Sequence, residues 1–306
     1  MCADYGPGRA PRMINPLRFF TRQEYFFRPS QAWRRMQKLW VGSLPETAEV
    51  ELPWGALVQV RPAEVIGAQI WYYGIFDLIV AEAIVRLFEP GETALDIGAN
   101  IGQMTSLMRN LAGPQGRVLS FEPHPGLFAA LERNCANAPA KDAPVKLHRL
   151  GLSDRAGEAF LTFDASWELN QGKANVATTP VPGRANLPVQ LARLDELVPA
   201  AGRVGVCKVD VEGHEPAVFR GAGGLLTQGN VRDILFEDLA GLPSENSALL
   251  AAAGYTIFAL RQDFWGPSLR DSTAPASAGN YLATREPERA VHRFAQRGWR
   301  ALRGPP

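Results

Sequence analysis

The sequence predicts an α/β chain built on a Rossmann-like, doubly wound sheet of mostly parallel strands. Three observations predict it. Short apolar runs alternate with helix-period segments from residue 94 onward, the succession expected of parallel strands joined by right-handed helical crossovers. One run ends in a glycine-bearing turn, Ala94-Leu-Asp-Ile-Gly-Ala-Asn-Ile-Gly102, that leads directly into a helical pattern. The next run closes on an acid, Glu122, where such a sheet presents a carboxylate to ribose hydroxyls.

The elements follow in order. Residues 1–12 are rich in Gly and Pro, and residues 13–43 interleave aromatic residues with Arg and Lys, with Glu24 almost the only acid. Such an arm either covers an exposed side of the core or makes a peripheral membrane or oligomer contact. Val50–Leu52 and Leu57–Val60 flank the Trp54–Gly55 turn as a hairpin. Ile75–Phe88 carries apolar residues at helical spacing and stops at Pro90–Gly91. Strands at Ala94–Ile97, Arg117–Phe121 and Val145–Leu150 alternate with helices at Ile101–Leu111 and Pro125–Asn134, and Ala159–Phe163 reads as an additional strand. A strand at Val204–Val209, a helix at Glu215–Arg220, a strand at Ile234–Phe236, a helix at Ser244–Ala253 and strands at Tyr255–Leu260 and Asn280–Thr284 complete the pattern. The last two strands lack a helix between them, so an antiparallel final strand inserted beside its neighbour is expected. Asp164–Asn186 is polar and too long for an ordinary connection, which marks a lid or binding loop. Residues 286–306 form a tail with an amphipathic helical pattern. The expected division is therefore an arm over 1–49, a main domain over 50–285 and a tail over 286–306.

Composition bounds the function. The chain has 306 residues, 46% hydrophobic and 21% charged, with a formal net charge of +1. That gives room for one large α/β domain and no global attraction to nucleic acid. Cys2, Cys135 and Cys207 lie at unrelated spacings, neither a disulfide framework nor a zinc pattern. With no apolar run long enough to span a bilayer and no secretory start, a cytoplasmic location is expected.

Within the turn, Gly98 permits the sharp bend and Gly102 close packing of the following helix. Asn100 stands where a dinucleotide fingerprint needs its middle glycine, which disfavours pyrophosphate. Asp96 repels a pyrophosphate and attracts an ammonium, directly or through water. Ser153 and Asp154 follow the third strand, where a polar group either contacts an adenine amino group or simply forms a turn. Lys208-Val-Asp-Val-Glu-Gly-His-Glu215 runs off the fourth strand toward the same sheet edge. There His214 has the near-neutral side chain expected of a base, while Asp210 and Glu212 either orient it or act themselves. Glu212 and Glu215 also suit the positive end of the following helix. Trp167, Asn170 and Asn175 in the long loop are candidates for acceptor contacts, and no metal site is called.

The segments LDIGANIGQMT (95–105), VLSFEPHP (118–125), GLSDRAGE (151–158), LDEL (194–197), KVDVEGHEPAVFRGA (208–222) and ILFED (234–238) resemble, in order and spacing, the FkbM-type methyltransferases. The resemblance covers about residues 50–260. It implies a class I methyltransferase fold of seven strands with one antiparallel, S-adenosylmethionine as donor, and O-methylation of a sugar, glycolipid or polyketide-type hydroxyl. The residues alone would serve an oxygen or a nitrogen nucleophile. Two other readings compete: an NAD(P)-dependent oxidoreductase, opposed by Asn100 and the DVEGHE segment, and a non-catalytic binding or membrane-docking module. DNA or RNA methylation is disfavoured by the charge and by the lack of an NPPY-like motif.

Overall fold

A computed structural model describes residues 22–27, 44–136, 139–164, 167, 174–198 and 203–303. Nearly all of the arm over 13–43 therefore lies outside the described residues, as does Asn170. A single turn of helix, α1 (Gln23–Phe26), precedes a hairpin of β1 (Ala48–Glu51) and β2 (Leu57–Val60). Trp54 at the hairpin turn is buried and donates its indole N–H to Ser106 Oγ at 3.0 Å, docking the hairpin on the sheet's first crossover helix.

The main sheet has eight strands. Its parallel half is β5 (Val145–His148), β4 (Arg117–Phe121), β3 (Thr93–Ile97), β10 (Val204–Val209) and β11 (Val231–Glu237), in that spatial order. β14 (Asn280–Thr284) is inserted antiparallel between β11 and β12 (Thr256–Asp263), as the missing helix between the last two expected strands required. The seven strands of a class I methyltransferase sheet are thus present. An eighth, β13 (Gly266–Asp271), pairs antiparallel with β12 at the edge. Its sequence, GPSLRD, gives little strand signal, and an edge position is where Pro267 is tolerated because one side of the strand needs no donor.

Helices cover both faces, leaving two buried apolar layers. One layer is closed by α3 (Leu78–Leu87), α4 (Gln103–Ala112) and α10 (Pro287–Phe294). The other is closed by α6 (Leu194–Leu197), α7 (Glu215–Gly221), α8 (Gly223–Thr227) and α9 (Glu245–Ala252), the last capped by Ser244. The crossover helix α5 is Pro125–Ala136. The expected helix over 75–88 is α3, which starts only after Asp77. A further helix, α2 (Val65–Tyr73), precedes it and is capped by Glu64, outside the usual Ser/Thr/Asp/Asn set that marks a helix start in sequence.

The segment over 164–186 is not one continuous loop. β8 (Asn175–Ala177) and β9 (Ala185–Ala192) join β7 (Gly157–Phe163) and β6 (Gly151–Leu152) in a separate four-stranded sheet, with Leu161 opposite Val176. The length suggested a lid because the three residues of β8 are too few to show a strand until β7 pairs with them.

The tail over 286–303 is part of the core. Arg86 and Glu82 are fully buried and paired at 2.8 Å. Arg86 also donates to the carbonyls of Arg293, Gln296 and Gly298, and Glu82 accepts from the Ala301 N–H at 2.7 Å. Trp299 is wholly buried, its indole N–H on the Phe264 carbonyl. Among the described residues no helix is long and apolar enough to cross a membrane.

Candidate active site

At the carboxyl edge of the parallel strands the order reverses between β3 and β10, the place where open α/β sheets bind ligands. A cavity opens there, lined by the ends of β3, β4, β10 and β11, the start of α2, and a wall from the small sheet.

The glycine turn forms its floor. The Gly98 and Ala99 N–H groups both donate to the Phe121 carbonyl at 3.0 Å, tying the turn to β4. Gly98 has φ +76, and a Cβ there would stand 1.9 Å from the Asp210 carbonyl oxygen. The neighbouring β10 backbone therefore demands this glycine. Gly102 has φ +91, and its missing Cβ makes room for Leu131 of α5, so its close packing is against a helix rather than the strand.

Glu122 is buried and accepts from the Asn100 N–H and the His124 N–H, each at 2.9 Å. Burial pushes its carboxyl up to about 7. His124 in turn accepts at Nδ1 from the Gly126 and Leu127 N–H groups, and its ring meets Trp167, which stacks on Phe163. Together with Phe121, Leu150, Leu152 and Val176 the His124 and Trp167 rings make an apolar slot beside Glu122.

Across the switch point the lining turns acidic. Lys208 Nζ donates to the Gly98 carbonyl at 2.8 Å and lies 3.3 Å from Asp210 Oδ2. Asp96 is fully buried and does not line the cavity. Its Oδ2 accepts from Thr105 Oγ1 at 2.6 Å, and Lys208 Nζ sits 3.8 Å from Oδ1, which has no hydrogen bond. Lys208, not Asp96, reaches the cavity, so an interaction of Asp96 with a ligand ammonium cannot be direct. Two residues that the sequence did not single out as site candidates join this end: Asp77, which caps α3, and Glu237, which ends β11. Burial pushes Asp77 up to about 6 and Glu237 up to about 8. Gln103 holds the segment before Asp77 in place, since its amide both donates to and accepts from the Phe76 backbone at 2.7 Å.

Backbone strain collects in the same place. Among the described residues three non-glycine residues have φ in the left-handed region, Asp77 (48°), Asn100 (50°) and Glu212 (54°), and all three line this cavity. Left-handed backbone at non-glycine residues costs energy and concentrates at functional sites. Asp77 carried no sequence mark beyond its place before an apolar run, where its cap role was legible in principle.

The remaining sequence candidates fall into three groups. Asp210, Glu212 and His214 line the cavity. His214 is held by a 3.0 Å contact between Nε2 and Ser153 Oγ, and burial lowers its proton affinity. Ser153 and Asp154 face a neighbouring depression beside His214 and Arg220, while Gly151 and Leu152 take the cavity side. Trp167 lines the cavity, whereas the Asn175 side chain is exposed and the strand turns Ala174 and Val176 inward instead. No group of three or more metal-ligating side chains occurs among the described residues.

Among the described residues the lining carries five carboxylates, Asp77, Glu122, Asp210, Glu212 and Glu237, against one ammonium, Lys208. A dinucleotide pyrophosphate would meet repulsion here, and the ring of N–H donors that cradles one is instead turned onto Phe121 and Glu122. S-adenosylmethionine, whose sulfonium and ammonium outweigh one carboxylate, fits both the acidic end and the apolar slot.

A model of the family described as the methyltransferase FkbM domain matches residues 96–255. The hexuronic acid methyltransferase AglP of Haloferax volcanii is 31% identical over 222 residues, 67% of this chain and 85% of that protein. The 31-O-demethyl-FK506 methyltransferase FkbM of Streptomyces tacrolimicus is 31% identical over 263 residues, 75% of this chain and 97% of that protein. Methyltransferase sdnD of Sordaria araneosa is 30% identical over 203 residues, 56% of this chain and 76% of that protein.

Proposed function

The chain belongs to the FkbM methyltransferase family, with S-adenosylmethionine as its donor, and we propose that it methylates a hydroxyl of a small molecule, a sugar, glycolipid or polyketide-type metabolite, in the cytoplasm. The observation that carries this reading is the split lining: an apolar slot ending on Glu122 at one side of the switch point and a carboxylate-rich end at the other. Carboxylates accept hydrogen bonds from hydroxyls, so the acidic end suits an acceptor rich in O–H donors. The relative named for 31-O-demethyl-FK506 agrees with an oxygen acceptor, and the one named for a hexuronic acid agrees with a sugar-class acceptor.

In this proposal Glu122 accepts from the ribose hydroxyls, and Phe121, Leu150, Gly151 and Leu152 hold the adenine by apolar contact. Ser153 and Asp154 act one step away, since Ser153 fixes His214. Asp96 keeps Lys208 charged and in place, and Lys208 braces the Gly98 turn. Bound S-adenosylmethionine supplies a methyl carbon already activated on a positive sulfur. Asp210, Glu212 and His214 align the acceptor oxygen with that carbon, and alignment is the larger share of the acceleration in such a displacement. Trp167 lines the cavity and offers a face to a sugar ring, with Asn175 on the strand beside it; Asn170 keeps its expected acceptor role from sequence alone.

Calorimetric titration with S-adenosylhomocysteine, NAD and NADP, followed by methyl transfer from labelled S-adenosylmethionine to methyl glycosides, hexuronosides and macrolactone polyols, tests the reading. Binding of S-adenosylhomocysteine alone and label on oxygen is the expected result. Label found only as a methyl ester on the hexuronoside carboxylate would overturn the hydroxyl assignment.

A further inference from the structure

Three acidic or basic groups at the reacting end already have partners. Asp210 lies against Lys208 at 3.3 Å, His214 against Ser153 at 3.0 Å, and Glu215 accepts the Val211 and Gly213 N–H groups. Glu237 differs. It lines the cavity, and its carboxylate makes no hydrogen bond or ion pair among the described residues. Its register is set by β11: Phe236 pairs with Val209 of β10, which puts Glu237 beside Asp210 at the adjoining strand end. On the other side Glu237 pairs with Asn280 of β14, whose amide is committed to Asp77 and to the Ser277 carbonyl. Neighbouring strands lie about 4.8 Å apart, so the three strand spacings from β4 to β11 separate Glu237 from Glu122 by about 14 Å along the sheet edge. The nucleoside and the unpartnered carboxylate therefore stand at opposite ends of one cavity.

We propose that Glu237 is the general base that takes the proton from the acceptor hydroxyl during methyl transfer, an inference that rests on the hydroxyl-acceptor reading above. The acceptor oxygen forms its bond to the methyl carbon as the carbon–sulfur bond breaks. The bonding pair stays on sulfur, which becomes a neutral thioether, and the hydroxyl proton passes to Glu237, which becomes a neutral acid and loses that proton to solvent at the open mouth.

The surroundings suit the role. Burial first, then the charges of Asp210, Glu212, Asp77 and Glu215, push Glu237 up to about 8. Lys208, the one lysine lining the cavity among the described residues, is held by Gly98 and Asp210. A base is most effective when its proton affinity sits near the working pH. A positive sulfonium in the cavity favours the ionised carboxylate before transfer, and the charge lost from sulfur favours its protonation during transfer.

Glu237→Gln and Glu237→Asp, compared with wild type, test this by S-adenosylhomocysteine calorimetry and by methyl transfer to methyl β-D-glucoside, methyl β-D-glucuronoside and a macrolactone polyol. Glu237→Gln is expected to bind S-adenosylhomocysteine within about two-fold of wild type, keep KM, lose about 10²–10⁴-fold in kcat, and lose the rising limb of the kcat–pH profile. Glu237→Asp should restore part of that limb. Glu237→Gln with kcat within ten-fold of wild type, or with affinity for S-adenosylhomocysteine lost in step with kcat, would overturn the base assignment and leave the hydroxyl reading standing. Wild type that labels none of the three hydroxyl compounds would overturn both. In wild-type protein, where folding of a variant is not at issue, carbon-13 carboxyl titration should give Glu237 a midpoint of about 8 without ligand, to be compared with its midpoint in the S-adenosylhomocysteine complex. The cationic analogue sinefungin should lower that midpoint, and an equal midpoint with both ligands would count against the base role.

Discussion

Lys208 Nζ donates to the Gly98 carbonyl oxygen at 2.8 Å, joining the fourth parallel strand to the glycine turn of the first. The same ammonium balances Asp96, which is fully buried with one oxygen unbonded, and Asp210 at the cavity wall. Both carboxylates favour the charged lysine and outweigh its burial, so it stays protonated throughout the working range. Lys208→Met would strand Asp96 in the interior. Breaking a buried pair by removing one partner costs about 3–5 kcal/mol, and that loss is expected in urea unfolding of Lys208→Met. A variant within 1 kcal/mol of wild type, to order of magnitude, would show that Asp96 is accommodated some other way.

Glu122 should govern both affinity and its pH dependence. Glu122→Ala is expected to weaken S-adenosylhomocysteine by about ten-fold or more, the worth of a charged acceptor for two hydroxyls. Because Glu122 ionises only near 7 in the free protein, wild-type affinity should tighten between pH 6 and 8, and the Glu122→Gln profile should be shallower. Calorimetry across that range distinguishes the two.

Stability should move the opposite way with pH. Asp77 and Glu122 bind protons more tightly folded than unfolded, with folded values of about 6 and about 7 against ordinary values of 3.8 and 4.5. A carboxyl with a raised value contributes its full stability below the unfolded value and loses it as pH rises through the folded one. The melting temperature of the ligand-free protein should therefore fall between about pH 4 and 7 through these groups, and Glu122→Gln should shallow that fall. Scanning calorimetry showing equal slopes for the two proteins would contradict the assignment.

His214 is held by Ser153, and the proposed division of roles makes it an aligning group. His214→Ala should lower kcat by about ten-fold, at the weak end of single-group effects, with S-adenosylhomocysteine affinity kept. A loss as deep as that of Glu237→Gln would transfer the base role to His214.

The tail should prove inseparable from the fold. Burial opposes both charges of the Glu82–Arg86 pair, and each partner restores the other's charge. Glu82→Ala leaves the guanidinium with carbonyl partners only and is expected to cost about 3–5 kcal/mol in denaturant unfolding. Removal of residues 287–303 should give no cooperative transition, because Trp299, Ala301 and Leu302 leave the same apolar layer.

Much of the site was legible because its residues sit where local rules are strict. The Asp96–Gly102 turn and Glu122 were marked by strand ends, glycine and charge. Asp77 and Glu237 were not, since an acid before a helix or after a strand is ordinary in sequence. Only the pairing of β10 with β11 and the Asn280 bond to Asp77 bring both to one cavity. Ser153 and Asp154 follow the expected strand, yet the chain turns them toward His214, because strand alternation gives Leu152 to the apolar slot.

The sequence by itself determined the order of most strands and helices, the glycine turn, the acid that ends the second parallel strand and the family, because these depend on periodicity and on residues that short stretches of backbone require. Tertiary structure decided which carboxylates share the cavity, which of them have partners, and that β8, β9, β13 and the tail belong to the packed body. Those outcomes depend on strand register and on burial of charge, quantities that exist only once distant segments meet.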